Sequence, residues 1–144
     1  MDWKLEVVCI PVSDIDRAKA FYAEKAGFKI DYDSTFSEDY RVVQLTPSGS
    51  GCSIVIGTGV WAGKPGSLPS LAYMEPGSLR GLQLVVPDVE KARSELVEKG
   101  IEVSDIQHFE KGAWVAGPGG DWNAFAFFSD PDGNAWVMQE SPAS

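Results

Sequence analysis

Apolar positions along this chain recur in two phases, and the pattern is written twice. Residues 12–30 read VSDIDRAKAFYAEKAGFKI and residues 86–103 read VPDVEKARSELVEKGIEV. In the first copy Ile15, Ala18, Tyr22 and Ala26 fall on one face of a helix. Val89, Ala92 and Leu96 do the same in the second. Asp14 and Asp88 stand where a helix N-cap is wanted, and Asp16 sits in the first turn, where the helix dipole favours an acid. Gly27 and Gly100 follow the last apolar position as helix stops. Around these helices lie short β-branched or aromatic runs that read as strands: 5–12, 28–33, 40–46 and 52–57 in the first half, 82–87, 101–106, 122–129 and 135–140 in the second. Asp130-Pro131-Asp132-Gly133-Asn134 is a turn with Pro and Gly at suitable positions, matched by Thr46-Pro47-Ser48-Gly49-Ser50.

Each half therefore reads strand–helix–strand–strand–strand, an α+β chain of two tandem modules. The division is a first module over 1–57, a connecting loop over 58–79 and a second module over 80–144. A lone module leaves one sheet face bare, so the two are expected to pack together as one structural unit. The stretches 58–79 and 105–121 are Gly-rich and irregular. Loops of that length serve as lids and rims of sites, or as linkers.

Composition narrows the partners. Over 144 residues, 12 basic and 21 acidic side chains give a net charge of −9. Phosphate binding needs a positive footprint, so nucleic acid is an improbable partner, and an anionic membrane surface is disfavoured for the same reason. The acidity serves solubility and weakly attracts cationic small molecules. No apolar run reaches the length of a membrane span, and the N-terminal residues do not read as a signal peptide, which points to the cytoplasm. Cys9 and Cys52 lie in apolar runs, as free buried thiols of a reducing compartment do, although a disulfide is equally writable in sequence. His108 is the single histidine. Beside Glu110 it reads as an acid–base pair or as an ordinary surface histidine.

The motif Val12-x-Asp14-x-x-Arg17-Ala18-x-x-Phe21-Tyr22, together with Asp130-Pro131-Asp132-Gly133-Asn134, resembles the vicinal oxygen chelate superfamily. Glyoxalase I, ring-cleaving dioxygenases, epimerases and bleomycin-resistance proteins belong to it. The resemblance spans both modules in order. It implies two βαβββ modules whose curved mixed sheets close round a cavity, in many relatives as a homodimer. It also implies a metal in those members that carry four His, Glu or Gln ligands. Here the matching positions are Val7, Gln44, Gly81 and Val137. Three lack a donor side chain, and Glu140 alternates to the opposite face, so no metal or other cofactor is expected.

Alternation outward from those positions assigns the cavity lining to Val7, Cys9, Gln44, Ser53, Gln83, Val137 and Gln139, and Phe128 joins them as the second-module counterpart of Gln44. His108 and Trp114 in the irregular stretch and Trp122 beside it are added, and with Trp61 of the connecting loop the tryptophans either stack on a ligand or brace the loops. Apolar walls with a few amides suit a small organic ligand, and equally a filled core. Three functions stand. The first is a metal-independent binding protein of the bleomycin-resistance type, sequestering a drug or natural product. The second is an isomerase or lyase working through neutral amides or His108. The third is a metal-dependent lyase or dioxygenase, disfavoured by the missing donors.

Overall fold

The structure is a computed structural model and describes residues 1–38, 40–57 and 74–143. Trp61 and most of the connecting stretch lie outside the described residues. In chain order the elements are β1 (Val7–Cys9), α1 (Ile15–Ala20) prolonged by a π-helical turn (Phe21–Lys25), β2 (Lys29–Ser37), β3 (Tyr40–Thr46), β4 (Ser53–Gly57), β5 (Leu82–Val86), α2 (Val89–Glu98), β6 (Gln107–Glu110), β7 (Ala113–Ala116), β8 (Phe125–Ser129) and β9 (Ala135–Glu140). They form two compact units, residues 1–79 with 130–134, and residues 80–129 with 135–144.

The first unit is built on a sheet of order β1-β4-β3-β2, with β1 parallel to β4 and the other pairs antiparallel. One face buries Val43, Leu45, Ile54 and Ile56, and α1 packs against β4. Asp14 caps that helix by accepting from the Arg17 amide at 3.0 Å. Ala18 and Tyr22 are the buried positions that the periodicity marks. Tyr22 stacks on Phe28 at 5.7 Å. The chain leaves the helix through Gly27 at φ +78°, a left-handed conformation that a side chain disfavours.

The turn 130–134 belongs to this unit and explains why its motif travels with the helix motif. Asp130 is 5% exposed, and its Oδ1 accepts from the amides of Asp132 and Asn134 at 3.0 and 2.9 Å. Its Oδ2 accepts from the Tyr22 hydroxyl at 2.7 Å and from Asn134 Nδ2 at 2.8 Å. Asn134, fully buried, also donates to the Pro11 carbonyl and accepts from the Leu79 amide. Asp132 takes the Ser13 hydroxyl at 2.5 Å and pairs with Arg17 at 3.2 Å. Asp14, Arg17 and Tyr22 of the first motif are thus a helix cap and two partners of the second. Gly77 closes the cluster from the other side. Its φ is +82°, and a Cβ there would stand 2.0 Å from the Asp132 carbonyl. Gly77→Ala is expected to destabilise by about 2–3 kcal/mol, through both the strained φ and the displaced turn, read as a lower urea midpoint at unchanged slope.

The second unit has a sheet of order β5-β9-β8-β6-β7, with β5 parallel to β9. Ala126, Phe128, Trp136 and Met138 form its buried face, and Val89 and Leu96 are the buried positions of α2. Asp88 caps α2 through the Lys91 amide at 3.0 Å. Glu140 accepts from the Val89 amide at 3.0 Å, which places its carboxylate on the helix side of the sheet. The sheets are curved and neither closes on itself: β1 and β2 are the edges of the first, β5 and β7 of the second.

Two sequence readings need correcting here. Residues 101–106 do not form a strand; only Val103 bridges to Phe128, while Arg93 donates to the Ser104 carbonyl at 2.8 Å and ties the segment to α2. The strand lies further on, inside the stretch read as irregular. β6 and β7 form a hairpin whose two loop residues, Lys111 (φ 49°) and Gly112 (φ 84°), are both left-handed, as a tight hairpin requires. Asn123 binds both backbone groups of Phe109 at 2.9 Å and so supplies β6 with the partner that the short β8 does not reach.

Candidate functional site

The pairings Val7↔Ser53, Cys9↔Val55 and Gln44↔Val55 put Val7, Cys9, Gln44 and Ser53 on one face of the first sheet, opposite the helix. That face is half-buried and carries a chain of polar contacts. A register shift in β2 between Ile30 and Tyr32 lets Asp31 and Tyr32 both reach Gln44. Tyr32 donates to Gln44 Oε1 at 3.2 Å, and Gln44 Nε2 donates to Asp31 at 3.1 Å. Thr46 also donates to Asp31, and its hydroxyl lies 2.6 Å from that of Ser53. The Thr46 hydroxyl first, then the Gln44 amide, holds the Asp31 carboxyl below the ordinary carboxylate range. Burial pushes the Cys9 thiol up, which makes it a poor nucleophile.

The open face of the second sheet is aromatic. Trp114 meets Phe109 at 5.5 Å, Phe125 at 5.2 Å and Phe127 at 5.2 Å, each close to edge-on. Trp114 and Phe109 nevertheless remain 49% and 50% exposed. Beside them Gln83 Nε2 donates to Gln139 Oε1 at 2.7 Å, and Gln139 Nε2 donates to the Trp122 carbonyl at 2.8 Å. The pairings Gln83↔Val137 and Phe127↔Val137 put Val137 on the same face. Trp122 itself is half-exposed and held at φ +60°.

Phe128 departs from the expectation. It pairs with Trp136 and stacks on it at 6.1 Å on the helix side, buried away from Gln83 and Val137. Mapping Gln44 onto Phe128 failed because the first hairpin leaves 46–53 between its last paired residues and the second leaves 130–134, an odd difference in length that exchanges faces between the two modules. Phe125 and Phe127 are the residues missed, although the Phe-Ala-Phe alternation at 125–127 carried the signal.

His108 lies on β6 rather than in a loop. Alternation turns it away from Phe109 and Trp114. Its Nδ1 lies 2.8 Å from the Gly117 carbonyl and its Nε2 3.0 Å from Glu110. Two acceptors satisfy both ring nitrogens only when the ring is protonated. The Gly117 carbonyl first, then Glu110, therefore raises its pKa. NMR titration of the ring is expected to give a midpoint above the ordinary value of about 6.5, and Glu110→Gln is expected to lower it. With the folded value raised, this contribution to stability is complete below the unfolded pKa and is lost as pH climbs through the folded one.

The four positions that would hold a metal do not fit one. Val7, Gly81 and Val137 offer no donor side chain, and both ends of the Gln44 amide are already bonded to Tyr32 and Asp31. Among the described residues no three His, Cys, Asp or Glu side chains gather as a metal site, and no helix is long and apolar enough to cross a membrane.

A curved-sheet α+β chain with these paired motifs defines a class, and the family comparison agrees. Residues 4–138 match the model of the Glyoxalase/Bleomycin resistance protein/Dioxygenase superfamily, and the chain belongs to that family. Among its relatives is the YwkD protein of Bacillus subtilis (strain 168), 33% identical over 125 residues covering 87% of each chain. Two solved structures from Streptomyces sp. CB03234 are similar. TnmS3, described as an antibiotic binding protein, shares 32% identity over 98% of both chains, with a TM-score of 0.71. A glyoxalase/bleomycin resistance protein shares 34% identity over 94% of this chain and 99% of its own, with a TM-score of 0.68.

Proposed function

We propose that this chain is a metal-independent binding protein that sequesters a small, flat organic molecule, a drug or natural product. The observation that carries the reading is the open face of the second sheet, where Trp114 stands half-exposed among three phenyl rings beside the Gln83–Gln139 pair. Exposed rings stack on planar ligands, and neutral amides orient a polar substituent without demanding charge. The relative TnmS3 is an antibiotic binding protein, which is in keeping with this. Within the first unit Val7, Cys9, Gln44 and Ser53 are proposed as ligand-facing positions, and the chain as a cytoplasmic homodimer; its two cysteines are free thiols, as a reducing compartment favours.

The test is a thermal-shift screen of untagged protein against planar aromatic antibiotics, bleomycin among them, with elemental analysis of the same sample. Binding raises the melting temperature by mass action. A hit recovered unaltered after incubation supports the proposal. Stoichiometric divalent metal, or turnover of the hit, overturns it. The His108–Glu110 pair is the observation that favours an enzyme instead. If it acts, His108→Gln abolishes turnover and leaves binding intact.

A further inference from the structure

A cavity lies at the end of the first sheet, outside the aromatic face. It has a volume of about 440 Å³ and is lined by Gly27, Lys29, Asp31 and the turn 46–50. Lys29 pairs with Thr46 across the β2–β3 ladder, and Asp31, two residues on, accepts from Thr46 and Gln44 on the same face. One cation and one anion thus border the same space. They form no ion pair with each other, and the Lys29 ammonium has no ion pair or hydrogen bond among the described residues. Both bonds to Asp31 end on Oδ2, which leaves Oδ1 able to accept. A ligand with one charge would satisfy one wall and meet a like charge on the other. A ligand carrying both charges would meet its opposite at each end.

The geometry points to a binding site for a small zwitterion, a free amino acid or short peptide, with its ammonium on Asp31 and its carboxylate on Lys29. Thr46 and Gln44 keep Asp31 ionised and fixed in place, so the acceptor is preformed. The 46–50 turn adds Ser48 and Ser50 to the wall. This site stands on different residues from the aromatic face; it shares Gln44, which holds Asp31, with the first-sheet lining proposed above, and the Trp114 variant below separates the two readings.

The experiment is a titration of isotope-labelled protein with glycine and with glycylglycine, followed by amide chemical shifts. Acetate and methylammonium serve as single-charge controls. Saturable shifts confined to 27–31 and 46–50 are expected for the zwitterions, with each control at least about tenfold weaker. Lys29→Met and Asp31→Asn are each expected to weaken the zwitterion at least about tenfold without lowering the melting temperature, since Asn keeps an acceptor for Thr46 and Gln44. Trp114→Ala is expected to leave this binding unchanged. Absence of saturable shifts, equal response to acetate and glycine, or full binding by Lys29→Met overturns the proposal.

Discussion

Asp130→Ala is expected to lower stability by about 3–5 kcal/mol, the cost of deleting a buried, fully bonded carboxylate and stranding its donors. Four donors lose their acceptor at once: the amides of Asp132 and Asn134, the Tyr22 hydroxyl and Asn134 Nδ2. Tyr22 and Asn134 are both fully buried, so water does not replace the lost partner without opening the core. Tyr22→Phe removes only one of these bonds and is expected to cost about 1–2 kcal/mol. The measurement is urea unfolding of the two single variants and the double. A double-variant cost well below the sum of the singles identifies Tyr22 and Asp130 as one network. A loss under about 1 kcal/mol for Asp130→Ala contradicts the hydrogen-bond pattern described above.

Trp114→Ala is expected to weaken binding of the tightest aromatic antibiotic by roughly 30- to 1,000-fold, the range of about 2–4 kcal/mol for truncating an anchoring tryptophan. The same change removes three ring contacts and is expected to cost the fold about 1–2 kcal/mol. The two effects separate by calorimetry well below the melting transition. Trp114→Phe keeps a stacking surface and is expected to recover most of the affinity. Equal affinity in Trp114→Ala and the unaltered chain removes the aromatic face from the site.

How legible this was differs between fold and site. The caps Asp14 and Asp88, the stops Gly27 and Gly100 and the strand 135–140 follow from local rules, because each is decided by residues within a turn or two. The hairpin at 107–116 escaped because Lys111-Gly112 is a weak turn signal and the strands are four residues each. The Gln44 environment escaped for a different reason. A bulge in β2 brought Tyr32 onto the Gln44 face beside Asp31, and alternation is silent about where a ladder slips. Phe128 shows the same weakness at a turn, where one odd step in loop length exchanged two faces. Errors of this kind fall on sites more than on elements, since a site depends on side-chain direction and an element does not.

The turn 130–134 has a bearing on biosynthesis. Its Asp130 and Asn134 complete the packing of residues translated more than fifty positions earlier. During translation the Asp130 acceptor of the Tyr22 hydroxyl and the Asn134 donor to the Pro11 carbonyl arrive only after the whole of the first sheet has been made. A nascent chain stalled before Asp130 is therefore expected to lack this network whatever else it has folded.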